Sequence, residues 1–384
     1  MKLFGKLSQG GDKKRILHLH PNGEMAAIFV APLLKFERNH GYESRIITST
    51  RSLKQFDGLE IPYDLKIRNL FGLPLAFIKL CYYLHTYKPD LVITHNFKSS
   101  LLPLLASRLM GTPIRVYFNH GVPYVGYDSV FRIMLKGLEA LNIYLATEVI
   151  TVSKDMQDLL QQVNSKKTIS LIANGSACGI DLHKHIAGQY DRLSFFAKYG
   201  FSKDDIIFTY IGRPEIRKGF VTILDLWTKH LQFNTAHRLF LCGPSESDVI
   251  KVIGAVPNRL HCLGFTQNVP EILSNTKYFL LTSFHEGLPY AVLEAMASGC
   301  IVIANNIDGI KALIQNGVNG FLVDNNSLKD YEAIVSFLEH QTQVFQDSIK
   351  GEAIKTASLY SRDAFLVAYK EFISRRLSDY RNGF

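Results

Sequence analysis

The chain has 384 residues, 47% hydrophobic and 20% charged, a composition that excludes a disordered protein and, at this length, suits two α/β domains better than one core. Its net charge of +9 lies in one half: residues 1–186 carry 23 Lys and Arg against 14 Asp and Glu, whereas residues 187–384 carry 20 against 20. Five cysteines, at 81, 178, 242, 262 and 300, form no C-x-x-C pair and mostly lie in apolar runs, so reduced buried thiols are expected rather than disulfides.

The first 15 residues are polar and Gly/Lys-rich after Leu3-Phe4, so no secretory signal is expected. No segment reaches the ~18 apolar residues of a membrane span. Arg15-Ile-Leu-His-Leu-His20 predicts a first strand, then Pro21-Asn-Gly23 and one helix from about Glu24 to Asn39. Further strands are predicted at 44–48, 91–94, 115–118 and 148–152, with helices at 101–110 and 154–163. The aromatic, leucine-rich segment Lys66–Lys88, basic at both ends, reads either as a surface lying in a membrane interface or as a Pro-started helix with a core face. Gly10-Gly11 precede the first strand and no G-x-G-x-x-G follows it, so NAD binding is not expected.

Composition loosens from Asn174 to about Gln189, the expected linker. Strands then resume at 206–212, 238–242, 259–263, 278–282, 301–304 and 320–323, and an amphipathic helix closes the chain from Asp363. The reading is an α/β protein of two Rossmann-like βαβ domains, 1–186 with the closing helix 363–384, and 187–362. The basic first half suits an anionic partner such as a bilayer surface or a lipid pyrophosphate, or is ordinary surface charge; nucleic acid is disfavoured because no binding motif or dense basic stripe occurs.

Chemistry concentrates in Ser283-Phe-His-Glu-Gly-Leu-Pro-Tyr-Ala-Val-Leu-Glu-Ala-Met-Ala-Ser-Gly299. Glu286 falls in a loop at a strand's carboxyl end and Glu294 about one turn inside the helix that starts near Pro289. That edge is where open α/β sheets bind ligands, and the helix start aims backbone N–H groups at an anion. Carboxylates accept paired hydrogen bonds from vicinal hydroxyls, so one suits a sugar and the other a ribose. Either Glu alone also reads as a surface residue complementing the helix dipole. In Tyr210-Ile-Gly-Arg-Pro-Glu-Ile-Arg-Lys-Gly-Phe220, Arg213 and Lys218 stand five apart across a turn and suit one anion between them, although a lone basic loop is commonly just solvated. His120-Gly121 ends a β-like run, a position that also suits a hydrogen-bonded structural histidine.

Glu286, seven residues, Glu294, then Ala-x-Ala-x-Gly, closely resembles the signature of retaining glycosyltransferases of family 4, which have the GT-B fold. The resemblance covers nearly the whole chain and is strongest from Ile206 to Val323. It implies that Arg213 and Lys218 hold a donor pyrophosphate, Glu294 the ribose, and Glu286 the transferred sugar with the backbone N–H groups of Gly287 and Leu288. Phe265 lies beside the base, and His120 contacts the sugar. More loosely, His95, Lys98 and Gly23 belong to the acceptor side or phosphate loop, and the last helix packs on the first domain. It implies a nucleotide-sugar donor, UDP-linked, and a hydroxyl of a lipid-linked glycan acceptor in surface-polysaccharide or glycan assembly; the basic first half and the lack of an expected signal or span suit a cytoplasmic protein resting on the inner face of the cell membrane. No cofactor is implied, and the absence of Asp-x-Asp fits a metal-independent reaction. Asp308-Gly-Ile-Lys-Ala312 departs from the usual Gly-Gly-x-x-Glu, so sugar contacts there are expected to differ. A nucleotide-sugar epimerase of the same fold and a non-catalytic glycan-binding relative are the alternatives, and the offset of the two carboxylates disfavours a glycosidase.

Overall fold

The computed structural model describes residues 13–48, 72–122, 124 and 129–380. Leu3, Phe4, Gly10, Gly11 and residues 66–71 of the aromatic segment therefore lie outside the described residues. The chain forms two compact units, one of Met1–Val152, Met156–Ile172 and Leu366–Phe384, the other of Ser153–Asp155 and Ala173–Phe365.

The first unit runs Arg15–His20 (β1), Gly23–Phe29 (α1), Ala31–Asn39 (α2), Glu43–Thr48 (β2), Leu73–Tyr87 (α3), Leu91–His95 (β3) and Phe97–Leu109 (α4). It continues with Ile114–Asn119 (β4), Ser129–Leu145 (α5), Glu148–Thr151 (β5), Lys154–Val163 (α6) and Ile169–Leu171 (β6). All six strands are parallel, in the order β2-β1-β3-β4-β5-β6. Their apolar runs are buried because helices cover both faces. Side chains alternate along a strand, so the packing of Leu17 and Leu19 with Leu80 and Leu84 of α3 sends His18 and His20 to the opposite face.

Several boundaries differ from expectation for local reasons. The single helix foreseen over 24–39 is two, parted at Val30, because Pro32 has no N–H to donate into the preceding turn. α4 begins at Phe97, four residues early, where the Ser99 and Ser100 hydroxyls bond back to the carbonyls of His95 and Asn96 at 2.9 and 2.6 Å. β6 is only three residues long, and neither it nor the helix α5 was among the expected elements. α3 has a core face of Ala76, Leu80, Leu84 and Tyr87 and also exposes Leu75, Ile78 and Tyr82, so both readings of that segment describe part of it.

The second unit runs Arg192–Tyr199 (α7), Ile206–Ile211 (β7), Phe220–Lys229 (α8), His237–Cys242 (β8), Glu246–Ile253 (α9), Leu260–Gly264 (β9) and Val269–Asn275 (α10). Tyr278–Leu281 (β10), Tyr290–Ala297 (α11), Ile301–Asn305 (β11), Phe321–Val323 (β12), Leu328–Glu339 (α12) and Gln343–Ser358 (α13) follow. Its six strands are also parallel, ordered β12-β11-β10-β7-β8-β9. Period-two alternation builds two core layers. Phe208, Tyr278, Leu280, Ile301 and Ile303 pack with Trp227 and Tyr331 on one face. Phe279, Leu281, Val302 and Ala304 pack with Val292, Met296 and Ala353 on the other.

The last helix, Arg362–Asp379 (α14), enters the first unit from Leu366 onward. It buries Phe365, Tyr369, Ile373 and Leu377, one residue every four, a single stripe of the helix. Tyr369 donates to Glu37 of α2, the Tyr42 hydroxyl lies 3.1 Å from Ser374 Oγ, and Arg376 pairs with Glu148 at 2.9 Å. All five cysteines are free. Among the described residues no helix is long and apolar enough to cross a membrane.

Because Ile373 is fully buried on the docking stripe, Ile373→Ala is expected to cost about 2–5 kcal/mol, read by urea unfolding. A loss below about 1 kcal/mol would mean that α14 does not pack on the first unit as described.

Candidate functional site

Strand order places a topological switch point in each unit, where successive connections leave to opposite sides and ligands bind in doubly wound sheets. In the second unit it lies between β7 and β10. The loop after β7 carries Arg213 and Lys218, and the loop after β10 carries Glu286, so the fold gathers residues 68 apart in sequence. Lys218 Nζ lies 2.8 Å from both Glu286 oxygens, with the Glu286 side chain 8% exposed.

These loops meet because one residue between them has no side chain. Gly219 has φ +70°, and a Cβ there would lie 1.9 Å from the Thr282 carbonyl oxygen. The Thr282 hydroxyl donates to Gly219 O at 2.8 Å, Phe284 N–H donates to Arg217 O at 3.0 Å, and the Tyr210 hydroxyl donates to Lys218 O at 2.9 Å. Beyond them, Asn305 Nδ2 donates to Ser283 O at 3.0 Å. The loops are held by backbone carbonyls, which keeps the charged side chains available.

Arg213 does not share an anion with Lys218 in this structure. Its Nη1 pairs with Glu215 at 2.8 Å, and Arg217 approaches the other Glu215 oxygen at 3.5 Å. Glu215 is a carboxylate that sequence reasoning did not single out. No described residue accepts from the N–H groups of Gly287 and Leu288, which stand just before α11. Glu294 lies inside α11, its Oε1 3.9 Å from His185 Nε2 and its side chain 29% exposed. Burial raises its pKa to about 7, against the opposing charges of Arg362 and Lys184. His185, held at 3.2 Å from Ser298 Oγ, is pushed down to about 4 by burial. Phe265 follows β9 and is 83% exposed, an aromatic face open to a ring.

The loop after β11, where the sequence departs from the usual motif, is built against the same site. Gly309 has φ +82°, and a Cβ there would lie 2.7 Å from the carbonyl oxygens of Glu286 and Gly287. Its N–H donates to Asp155 Oδ2 at 2.8 Å. Asp155 and Gly309 were missed as partners because 154 residues separate them.

In the first unit the switch point lies at the carboxyl ends of β1 and β3, with β4 beside them. His20, His95 and, just past β4, His120 gather there. His95 is 1% exposed, its Nδ1 3.0 Å from His120 Nε2 and its Nε2 3.0 Å from His18 Nδ1. Of the two residues expected on the acceptor side, Lys98 is exposed in the first turn of α4, whereas His95 is buried behind His120. Burial lowers the pKa of His120 to about 3 and of His20 to about 4, and moves His95 well below its ordinary value, so all three are neutral near pH 7. Asn119 braces the turn after β4: its Oδ1 accepts from Gly121 N–H at 2.8 Å and its Nδ2 donates to Glu139 at 3.1 Å. Asn96, between β3 and α4, has φ 70° and ψ 149°, a strained conformation for a side-chain-bearing residue. Gly23 is the buried first residue of α1, after the Asn22 cap. Among the described residues no group of three or more His, Cys, Asp or Glu could hold a metal ion.

Two parallel sheets of this order are the GT-B architecture. A profile described as "Glycosyl transferases group 1" matches residues 191–355, and one described as "Glycosyltransferase Family 4" matches residues 26–177. The chain belongs to the family 4 glycosyltransferases. It is 28% identical over 280 residues to the UDP-Gal:alpha-D-GlcNAc-diphosphoundecaprenol alpha-1,3-galactosyltransferase of Escherichia coli, covering 67% of this chain and 68% of that one. It is 23% identical over 340 residues to the N,N'-diacetylbacillosaminyl-diphospho-undecaprenol alpha-1,3-N-acetylgalactosaminyltransferase of Campylobacter jejuni, covering 84% and 89%. The structure of Anabaena HepE in complex with UDP and glucose matches with TM-score 0.77 at 19% identity, over 94% of this chain and 100% of that chain.

Glu294 supplies a test in the second unit. Its raised pKa keeps the folded chain protonated where an unfolded carboxyl, near 4.5, has ionised, so its contribution to stability falls as pH rises from about 4.5 to about 7. Relative to wild type, Glu294→Gln is expected to gain stability across that window and level off above it, measured by urea unfolding at stepped pH. His185 lies 3.9 Å from Glu294 and titrates with it, so the comparison is repeated in a His185→Gln background, where a flat difference would show that the carboxyl is not shifted.

Proposed function

We propose that this chain is a retaining, metal-independent glycosyltransferase that moves a hexose or N-acetylhexosamine from a UDP-sugar to a hydroxyl of a lipid-linked glycan in bacterial surface-polysaccharide assembly. The observation that carries the reading is Lys218 bound to Glu286 at a switch point, beside the open N–H groups of Gly287 and Leu288. The printed names of the two bacterial relatives support the acceptor, since both act on a diphosphoundecaprenol-linked sugar. Both form alpha linkages, as retention of an α-configured donor requires.

An ammonium has three N–H groups, and Glu286 engages Lys218 through its two oxygens, leaving donor capacity for a β-phosphate oxygen. Arg213, 66% exposed, adds a fork of further donors. Positive charge fixed there stabilises the charge that builds as the nucleoside diphosphate departs. Glu286 accepts from hydroxyls of the transferred sugar, Glu294 from the ribose diol, and Phe265 stacks on the base. His120 contacts the sugar, with Gly23 and Lys98 on the phosphate and acceptor side. The departing phosphate takes the acceptor's proton on the same face, so no separate side-chain base is needed.

The excess positive charge of residues 1–186 and the outward apolar side chains of α3 and α5, among them Ile78, Tyr82, Val130, Phe131 and Ile133, support attachment at the inner face of the cell membrane.

Hydrolysis of a panel of nucleotide sugars, with and without polyprenyl-diphosphate acceptors, is expected to consume a UDP-sugar; if no donor is consumed, the assignment is wrong. Inversion at C2 without transfer would identify an epimerase instead. In calorimetric titration Lys218→Ala is expected to weaken UDP binding at least about tenfold, the loss of one charge-assisted contact. Glu286→Ala should mainly lower kcat and Glu294→Ala mainly weaken nucleotide binding, and equal losses of both in each variant would refute the division of roles.

A further inference from the structure

Behind His120 the first unit holds a continuous chain of side-chain hydrogen bonds: His120 Nε2 to His95 Nδ1 at 3.0 Å, His95 Nε2 to His18 Nδ1 at 3.0 Å, and His18 Nε2 to Glu37 Oε1 at 3.0 Å. His18 and Glu37 are fully buried, and His95 is nearly so. Tyr369 of α14 closes the far end by donating to the same Glu37 oxygen. Three strands and two helices contribute one link each: His18 from β1, His95 from β3, His120 from the end of β4, Glu37 from α2 and Tyr369 from α14.

The bonding pattern dictates where the protons sit. A carboxylate only accepts, so Glu37 receives a hydrogen bond from His18 Nε2–H, and His18 Nδ1 must then accept. His95 supplies its Nε2 proton to that nitrogen and accepts at Nδ1, and His120 in turn points its Nε2 proton inward. His120 is left with a lone pair on Nδ1, which no described residue bonds. His20 stands outside the chain in the other tautomer, its Nδ1 2.7 Å from Asn22 O and its Nε2 accepting from Asn96 at 3.1 Å.

We propose that Glu37, His18 and His95 are positioning residues that lock His120 in the Nε2–H tautomer, so that its Nδ1 accepts a hydrogen bond from a hydroxyl of the transferred sugar. The sugar as ligand rests on the transferase reading; the lock itself rests only on the chain of bonds. Direction comes from Glu37, because a carboxylate cannot donate. A glutamine in its place can accept from His18 or donate to it, and either choice propagates ring by ring to His120. In this arrangement α14 helps to hold Glu37, since Tyr369 donates to the same oxygen that His18 Nε2 approaches.

The test combines a spectroscopic and a kinetic readout on the full chain. Long-range proton–nitrogen correlation of 15N-labelled protein, with His120→Gln to assign the signal, is expected to show His120 with Nε2 protonated and Nδ1 bare. Glu37→Gln should give a mixture of tautomers, and His95→Phe, which cuts the chain but keeps a ring in the stack, should release His120 likewise. Glu37→Gln should also lower kcat at least about tenfold, as a wrongly held histidine tautomer does in other enzymes, with UDP affinity unchanged because other residues hold the nucleotide. A wild-type His120 protonated at Nδ1 overturns the proposal without any variant. So does a tautomer that neither substitution moves, or one that moves while kcat stays the same. If the wild type turns over no donor yet shows the coupled tautomer, the transferase reading fails and the lock stands; turnover with an unresponsive tautomer removes the lock alone.

Discussion

At Gly219 the loop leaving β7 runs so close to the loop leaving β10 that a single methyl group would sit 1.9 Å from the Thr282 carbonyl oxygen. The approach is possible because both strands are parallel neighbours whose connections diverge at that point, opening a gap at their carboxyl ends. Once the backbones touch, Lys218 and Glu286 have little choice but to pair across the gap. The Tyr210 hydroxyl and Asn305 amide complete the job by occupying carbonyls of the same loops. The pairing of Lys218 with Glu286 is thus a consequence of backbone clearance first and of charge second.

The two switch points use opposite electrostatics. In the second unit, cations and carboxylates stand at a partly open edge, where water screens them and a phosphate or a diol can still compete for them. In the first unit the titratable groups are driven inside, and burial strips the histidines of charge while preserving their hydrogen bonds. The first arrangement suits charge that appears and leaves with a nucleotide. The second suits a fixed, directional contact with an uncharged group. α14 serves the second arrangement, because its buried stripe brings Tyr369 to Glu37.

The carboxylate pair and the basic loop were readable because each occupies a short contiguous segment whose spacing has a physical meaning, a loop and then one helical turn. Glu215, between Arg213 and Arg217, is equally close in sequence, but it lies in the loop after β7, where no helical or strand period marks it as their partner. Asp155 and Gly309 left no local signal, since their bond spans 154 residues. The burial of His95 left no local signal for a related reason. A histidine at a strand end looks the same in sequence whether the adjoining strand leaves it at the surface or covers it, and here His120 on β4's exit covers it. The split of the first helix at Val30 was announced by Pro32, whose missing N–H is a local property.

By itself, then, the sequence determined most of the segments that become strands and helices, through period-two and period-3.6 spacing, and set two carboxylates and a basic loop in short contiguous segments at strand ends. Strand order was decided only by the tertiary structure, and with it the partners: Lys218 on Glu286, Asp155 on Gly309, and the line from Glu37 through His18 and His95 to His120. The reason is physical. Periodicity reports which face of an element is apolar, whereas a hydrogen bond between residues tens or hundreds of positions apart depends on which strands become neighbours, and local spacing carries no record of that choice.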